Sequence, residues 1–146
     1  FFDINDKKIY EKNIDELQFE YRKGFQKKNT IILYGKFKIS LGDKKYIKNL
    51  MLEYESIRNK TQPQKVNCCG SIFKNPINQS AWKLIKSSID ESFYNGPIKL
   101  SKIHSNFFEI EPNISANSID LFISKIQKKV KDRHQITLEK ELRIIS

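Results

Sequence analysis

The stretch Asn67-Cys68-Cys69-Gly70-Ser71-Ile72-Phe73-Lys74-Asn75-Pro76 carries the densest chemistry in the chain. It sets a hydroxyl directly after a glycine and follows it with two apolar residues, an ammonium, an amide and a proline. Gly70 permits a tight or left-handed backbone, which can push the Ser71 hydroxyl out into a cavity. Lys74 and Asn75 offer a cation and an amide within one short segment, Ile72 and Phe73 can anchor it, and Pro76 stops a helix from running on. A polar site on a loop is one outcome. The plain alternative is a surface turn whose serine does nothing.

Three further positions carry charge or a titratable ring. Arg22 follows an aromatic in Phe19-Glu20-Tyr21-Arg22, His104 ends Ser101-Lys102-Ile103-His104, and Glu139, Glu141 and Arg143 share the last apolar stretch. Taken singly, each has an ordinary structural account: a surface ion pair for Arg22, an outward carboxylate on an edge strand for Glu141, a hydrogen-bonded structural ring for His104. A metal site has little to work with. Cys68 and Cys69 are adjacent, no second pair completes a zinc pattern, and the only histidines are His104 and His134. Reduced thiols in a cytoplasmic protein are the simplest account.

The elements that must position these residues follow from periodicity and turn signals. Two short strands are expected over 1–10 around Asn5-Asp6. Alternation of Ile32, Tyr34, Phe37 and Ile39 predicts a strand over 30–40, with Gly35 marking a bulge. Ile47, Leu50, Met51, Tyr54 and Ile57 then fall on one face of a helix over 43–59. The change of period near Leu41-Gly42 predicts a domain boundary, giving domains 1–41 and 42–146. A polar loop over 60–65 leads into the glycine–serine stretch. A helix over 80–90 follows with Ser80 as N-cap, then a turn at Asn95-Gly96-Pro97 and strands over 98–100 and 106–110. The longest late helix is predicted over 116–133, capped by Ser115, with Ile119, Phe122, Ile123, Ile126 and Val130 as its apolar stripe. A strand over 138–145 closes the chain. The fold class expected is α+β, a two-layer domain of mixed strands and helices preceded by the terminal strands of another domain.

Composition bounds the classes. At 146 residues the chain is long enough for a real core, and its hydrophobic and aromatic fractions are those of a globular protein. No apolar run approaches the ~20 residues that cross a bilayer. Phe1-Phe2 meets Asp3 at once, so no signal peptide and no membrane partner are expected. Without an initiator Met and opening on an apolar stretch, the chain reads as a fragment. The net charge of +10 comes almost wholly from lysine, with arginine only at 22, 58, 133 and 143. Readers of nucleic acid lean on arginine for base edges and stacking, so the charge reads as a solvated surface and no nucleic-acid partner is expected. The competing reading is a non-catalytic basic α+β module that binds nucleic acid or another polyanion, recognisable by salt-sensitive binding.

Four blocks in order carry a resemblance: Glu20-Tyr21-Arg22, Cys69-Gly70-Ser71-Ile72-Phe73-Lys74-Asn75-Pro76, Leu100-Ser101-Lys102-Ile103-His104-Ser105-Asn106-Phe107, and Leu138-Glu139-Lys140-Glu141-Leu142-Arg143-Ile144-Ile145. Gln62-Pro63 and Ala81-Trp82-Lys83-Leu84-Ile85 join them. Together they resemble the C-terminal half of the UDP-N-acetylenolpyruvoylglucosamine reductase (MurB) family of peptidoglycan synthesis, over nearly the whole chain. The short connection from Arg22 to Ser71 resembles the family's shorter subtype, which lacks an inserted tyrosine loop.

The resemblance implies reduction of the enolpyruvyl ether of UDP-N-acetylglucosamine enolpyruvate to a lactyl ether, giving UDP-N-acetylmuramate. NADPH is the reductant and FAD the bound carrier, in a cytoplasmic enzyme of cell-wall biogenesis tied to cell shape and division. It implies that Ser71 is the proton donor, that Glu141 hydrogen-bonds the acid-enolate or helps supply protons, and that Arg22 stabilises the spreading charge. Lys74, Asn75 and His104 are implied substrate contacts. The sequence departs from the family pattern at Gly24, where a second serine is usual, at Gly96-Pro97, where a glycine pair is usual, and at Ser146, where a glycine is usual. Its five glycines are isolated, so no pyrophosphate cradle is visible. In the family, FAD is held mainly by an N-terminal half. The chain is therefore expected to hold the end of that FAD-binding domain (1–41) and the substrate-binding domain (42–146), to need the absent N-terminal half as partner, and to be inactive alone.

Overall fold

The computed structural model describes residues 1–25, 27–64 and 66–142, so Arg143 and the rest of the final expected strand lie outside the described residues. The chain divides into two compact units, Phe1–Asp43 and Lys44–Ser146.

The first unit is built on Phe2–Asp3 (β1), which pairs antiparallel with Lys8–Ile9 (β2) on one side and Thr30–Ile31 (β3) on the other. Its anchor is Asp3, whose side chain is nearly covered. One carboxylate oxygen accepts the Asn5 N–H at 2.9 Å, and the other lies 2.5 Å from the Lys27 ammonium. The hydrogen bond from Lys27 is the largest reason that the Asp3 carboxyl sits below its usual range. Phe1 stacks on Tyr10 and meets Phe25, with ring centroids 5.5 and 4.7 Å apart.

The expected strand over 30–40 is corrected to the two residues of β3. Beyond Ile31 no ladder continues among the described residues, so Gly35 marks no bulge. Alternation alone did not suffice, because Ile32, Tyr34, Phe37 and Ile39 have no packed surface to cover them and stay largely exposed.

The second unit opens with Lys44–Thr61 (α1), which obeys its predicted periodicity yet buries no residue. Packing begins with Ala81–Ser88 (α2), whose Ala81, Leu84 and Ile85 face the core. A 3-10 turn at Glu91–Tyr94 and the left-handed Gly96 then lead into a hairpin of Ile98–Leu100 (β4) and Phe108–Ile110 (β5), with Leu100 opposite Phe108. Ala116–His134 (α3) packs against α2, with Ile123, Ile126 and Val130 buried in the core. Ser115 caps α3 as expected, accepting the Ser118 N–H at 3.2 Å. Gln135 ends the helix in the left-handed conformation, returning its N–H to Lys131 C=O.

Two expectations shift here. Ser80 holds the N-cap position of α2 as expected, but its side chain makes no capping bond; Asn75 reaches across the Pro76 turn instead, and its Oδ1 accepts the Ala81 N–H at 3.0 Å. The strand expected over 106–110 begins only at Phe108, because Ser105 and Asn106 form a turn that Phe107 closes by giving its N–H to His104 C=O at 2.9 Å. Ile72, Phe73, Leu100, Phe108 and Leu138 join the two packed helices in one core. The α+β class is as expected.

Candidate active site

The loop bearing Ser71 is fixed by its own sequence. Gly70 takes φ +85°, a conformation costly for any residue with a Cβ, and nothing lies within 4 Å of where a Cβ would stand. Open space with a left-handed backbone means the glycine is needed for its conformation and not for clearance. The hydroxyl-bearing Ser71 is half-buried. The next two residues, Ile72 and Phe73, are buried almost completely and nail the loop to the core.

One edge of this loop pairs with the chain's end. Phe73 forms a bridge with Lys140, Lys74 donates its N–H to Glu139 C=O at 2.9 Å, and Glu141 donates its N–H to Ile72 C=O at 2.9 Å. Glu141, itself half-buried, therefore stands one residue from Ser71 across this short antiparallel pairing. The strand expected over 138–145 is present in the described residues only as this local ladder.

The opposite edge pairs with Asn106, which is 3% exposed. Its Oδ1 accepts the Phe73 N–H at 3.0 Å, its Nδ2 donates to Phe73 C=O at 2.8 Å, and its own C=O accepts the Ile72 N–H at 2.8 Å. One side-chain amide thus satisfies both backbone groups of Phe73, as a neighbouring strand would. No role was assigned to Asn106 from the sequence. A polar amide set between His104 and the aromatic pair Phe107-Phe108 was the available signal.

The remaining candidates have partners of their own. Lys74, mostly covered, forms an ion pair with exposed Glu139. Asn75 is engaged as the α2 cap. The ring of His104 lies 5.9 Å from that of Trp82 and 4.9 Å, edge-on, from that of Phe107. Burial holds its imidazole below the ordinary histidine range, so it is neutral near pH 7. Its Nδ1 accepts the Asn106 N–H at 3.3 Å, which leaves the ring proton on Nε2. Asn106 thereby ties His104 and the Ser71 loop together.

Arg22 belongs to the first unit. It occupies a tight turn closed by the Glu20–Lys23 bridge, at φ +58°, with its guanidinium 5.4 Å from the Tyr21 ring centroid. A non-glycine residue held in this region is strained, a common mark of a side chain whose aim matters.

The described residues do not fit a dinucleotide cofactor. Among the described residues no glycine-rich loop meets a helix N-terminus, and the two helices packed on the core, α2 and α3, have their first turns capped by Asn75 and Ser115. The first unit does carry a cleft of about 620 Å³, lined by Phe1, Tyr10, Leu17, Phe25, Tyr34 and Phe37 among others. Among the described residues no cluster of His, Cys, Asp and Glu could hold a metal ion. No helix of the described residues is long and apolar enough to cross a membrane.

Residues 62–145 match the family described as "UDP-N-acetylenolpyruvoylglucosamine reductase, C-terminal domain". The chain is similar to the UDP-N-acetylenolpyruvoylglucosamine reductase of Pelagibacter ubique (strain HTCC1062), 36% identical over 130 residues that cover 87% of this chain and 43% of that protein. It is also similar to that of Wolbachia sp. subsp. Brugia malayi (strain TRS), 33% identical over 142 residues, 97% of this chain and 48% of the other. Among solved structures it resembles UDP-N-acetylenolpyruvylglucosamine reductase (MurB) from Thermus caldophilus, with a TM-score of 0.70 at 27% identity, covering 88% of this chain and 46% of that one. The chain spans about half the length of the curated relatives it matches.

Proposed function

Because the chain belongs to the UDP-N-acetylenolpyruvoylglucosamine reductase family, we propose that it provides the substrate-binding and proton-delivering part of an NADPH- and FAD-dependent reductase. The substrate is UDP-N-acetylglucosamine enolpyruvate and the product UDP-N-acetylmuramate, a precursor for cell-wall peptidoglycan and so for cell shape and division. The observation that carries this reading is the Glu141 N–H to Ile72 C=O bond, which brings the two ends of the proposed proton-handling pair within one residue of each other. On this reading the domains are 1–41, the end of an FAD-binding domain, and 42–146, the substrate domain.

In the net reaction the substrate's carbon–carbon double bond gains a hydride and a proton while NADPH becomes NADP⁺. The cofactors would supply the hydride, held mainly by the N-terminal half that longer family members carry. What the chain contributes is management of the negative charge that then gathers on the carbon beside the carboxylate. Ser71 gives that carbon its hydroxyl proton. A serine hydroxyl is a weak acid, so its usefulness depends on being aimed at the carbon and held there, a condition that buried Ile72 and Phe73 meet. Glu141 hydrogen-bonds the acid-enolate or relays protons. Arg22 is the residue proposed to spread the charge of the substrate carboxylate.

Lys74 meets an anionic part of the nucleotide sugar after exchanging its Glu139 partner, and Asn75 and His104 complete the substrate contacts. As a neutral ring with its proton on Nε2, His104 donates a hydrogen bond and adds no charge. Work on a sugar nucleotide with NADPH suits the cytoplasm, where thiols such as Cys68 and Cys69 stay reduced.

A titration tests the reading. The chain, and a fusion of it to the N-terminal half of a longer family member, are titrated with the enolpyruvyl sugar nucleotide while amide shifts are followed. The reading expects shifts clustered at 70–75, 104–106 and 139–141, and flavin-dependent NADPH oxidation by the fusion alone. Salt-sensitive binding of nucleic acid with no response to the sugar nucleotide in either protein would overturn it.

A further inference from the structure

We infer that Asn106 is a positioning residue for proton transfer from Ser71, an inference that rests on the reductase reading above. Three observations carry it. Asn106 is buried, and its amide meets both backbone groups of Phe73, donor to acceptor on each side. Its backbone carbonyl takes the Ile72 N–H, so Asn106 grips two successive residues directly after Ser71. On the other side of Ser71 stands left-handed Gly70, with nothing packed within 4 Å of its Cβ position. The nearest anchor before Ser71 is at Asn67, whose C=O accepts the Ile110 N–H at 3.1 Å, so the residues that hold Ser71 most closely lie on its C-terminal side, with Asn106 on one edge and Glu139 and Glu141 on the other.

Asparagine is the fitting residue for this task. Aspartate keeps an acceptor for the Phe73 N–H but cannot donate to Phe73 C=O, and alanine offers neither. Loss of the amide leaves two buried backbone groups unpaired, and the strand segment must shift to satisfy them. The same residue also gives its N–H to His104 Nδ1. A shift at Asn106 therefore reaches a proposed substrate contact as well as the proposed donor. An error of about 1 Å in the placement of a reacting group is enough for a rate loss on the order of 10²-fold.

The test is a double-mutant cycle in the flavin-loaded fusion described above. Asn106→Ala is expected to slow formation of the lactyl ether by about 10²-fold at saturating substrate, with KM changed far less and a larger solvent deuterium isotope effect. In a Ser71→Ala background the same substitution is expected to slow it little further, because a residue acting through Ser71 has nothing left to aim. Asn106→Asp, which is the same size, serves where the alanine variant folds poorly and is expected to fall between.

In the chain alone, amide exchange at Phe73 is expected to quicken in Asn106→Ala, and to a smaller degree in Asn106→Asp, which keeps the acceptor but loses the donor, while Lys74 and Glu141 amides keep their protection. Equal losses from Asn106→Ala with and without Ser71, or a wild-type rate in Asn106→Asp with Phe73 exchange unchanged, would overturn the positioning role. If the unsubstituted fusion binds flavin yet forms no lactyl ether, the reductase reading fails, and this inference with it.

Discussion

Glu141 gives its backbone N–H to the carbonyl of Ile72 across 2.9 Å, and this bond joins one of the two residues on which the proposed chemistry depends to the sequence neighbour of the other, Ser71. Some seventy residues separate them in the chain. They meet because buried Leu138 and buried Phe73 enter one core and the backbone between pairs as a short ladder. Any change that slides this ladder by one residue would exchange the faces of Lys140 and Glu141.

Gly70→Ala should destabilise the second unit by about 1 kcal/mol through backbone strain alone, since no atom obstructs the new methyl group. Urea unfolding measures it. A larger activity loss than stability loss is expected in the flavin-loaded fusion, because the strain sits beside Ser71.

Asn75→Ala and Ser80→Ala separate the two readings of the α2 cap. Removing the Asn75 oxygen from the Ala81 N–H should cost about 1 kcal/mol, whereas Ser80→Ala should change stability by less than about half of that. The reverse order in thermal melts would mean that Ser80 is the cap.

These two substitutions also mark what the sequence could reveal. Spacing alone located α1, α2, α3 and the β4–β5 hairpin, since apolar periodicity and the Ser115 cap are local signals. The choice of Asn75 over Ser80 depends on a turn at Pro76 that brings residue 75 back over residue 81, which no local pattern encodes. The long strand expected over 30–40 failed for the opposite reason: Ile32, Tyr34, Phe37 and Ile39 suggest alternation, but burial is a property of partners. The conformation of Gly70 was legible because a left-handed turn favours glycine. Asn106 was not assigned, because its worth lies in pairing with Phe73, 33 positions away.

His104 predicts a pH dependence. Burial lowers its pKa from the ordinary 6.5, so the folded protein favours the neutral ring and the unfolded chain binds more protons in the interval between the two values. Its contribution to stability is complete above pH 6.5 and falls as the pH drops through the folded pKa. Urea midpoints taken from about pH 7.5 down to about pH 5 should decline, and His104→Phe should flatten that decline. An unchanged slope in the variant would show that another group is responsible.

Glu139→Gln removes an exposed partner from Lys74, so the stability change should stay within about 0.5 kcal/mol. Calorimetry should show tighter binding of the enolpyruvyl sugar nucleotide, because Lys74 no longer has to leave a carboxylate to meet an anion. Weaker binding would assign Glu139 itself to the substrate.

The most direct measurement is stopped-flow of Ser71→Ala in the flavin-loaded fusion, with the two half-reactions observed separately. The account predicts that NADPH reduces the flavin at the unsubstituted rate, while reoxidation by the enolpyruvyl sugar nucleotide slows by about 10²–10⁴-fold, the scale of a lost proton donor. Reoxidation at the unsubstituted rate would contradict it and return Ser71 to an ordinary turn.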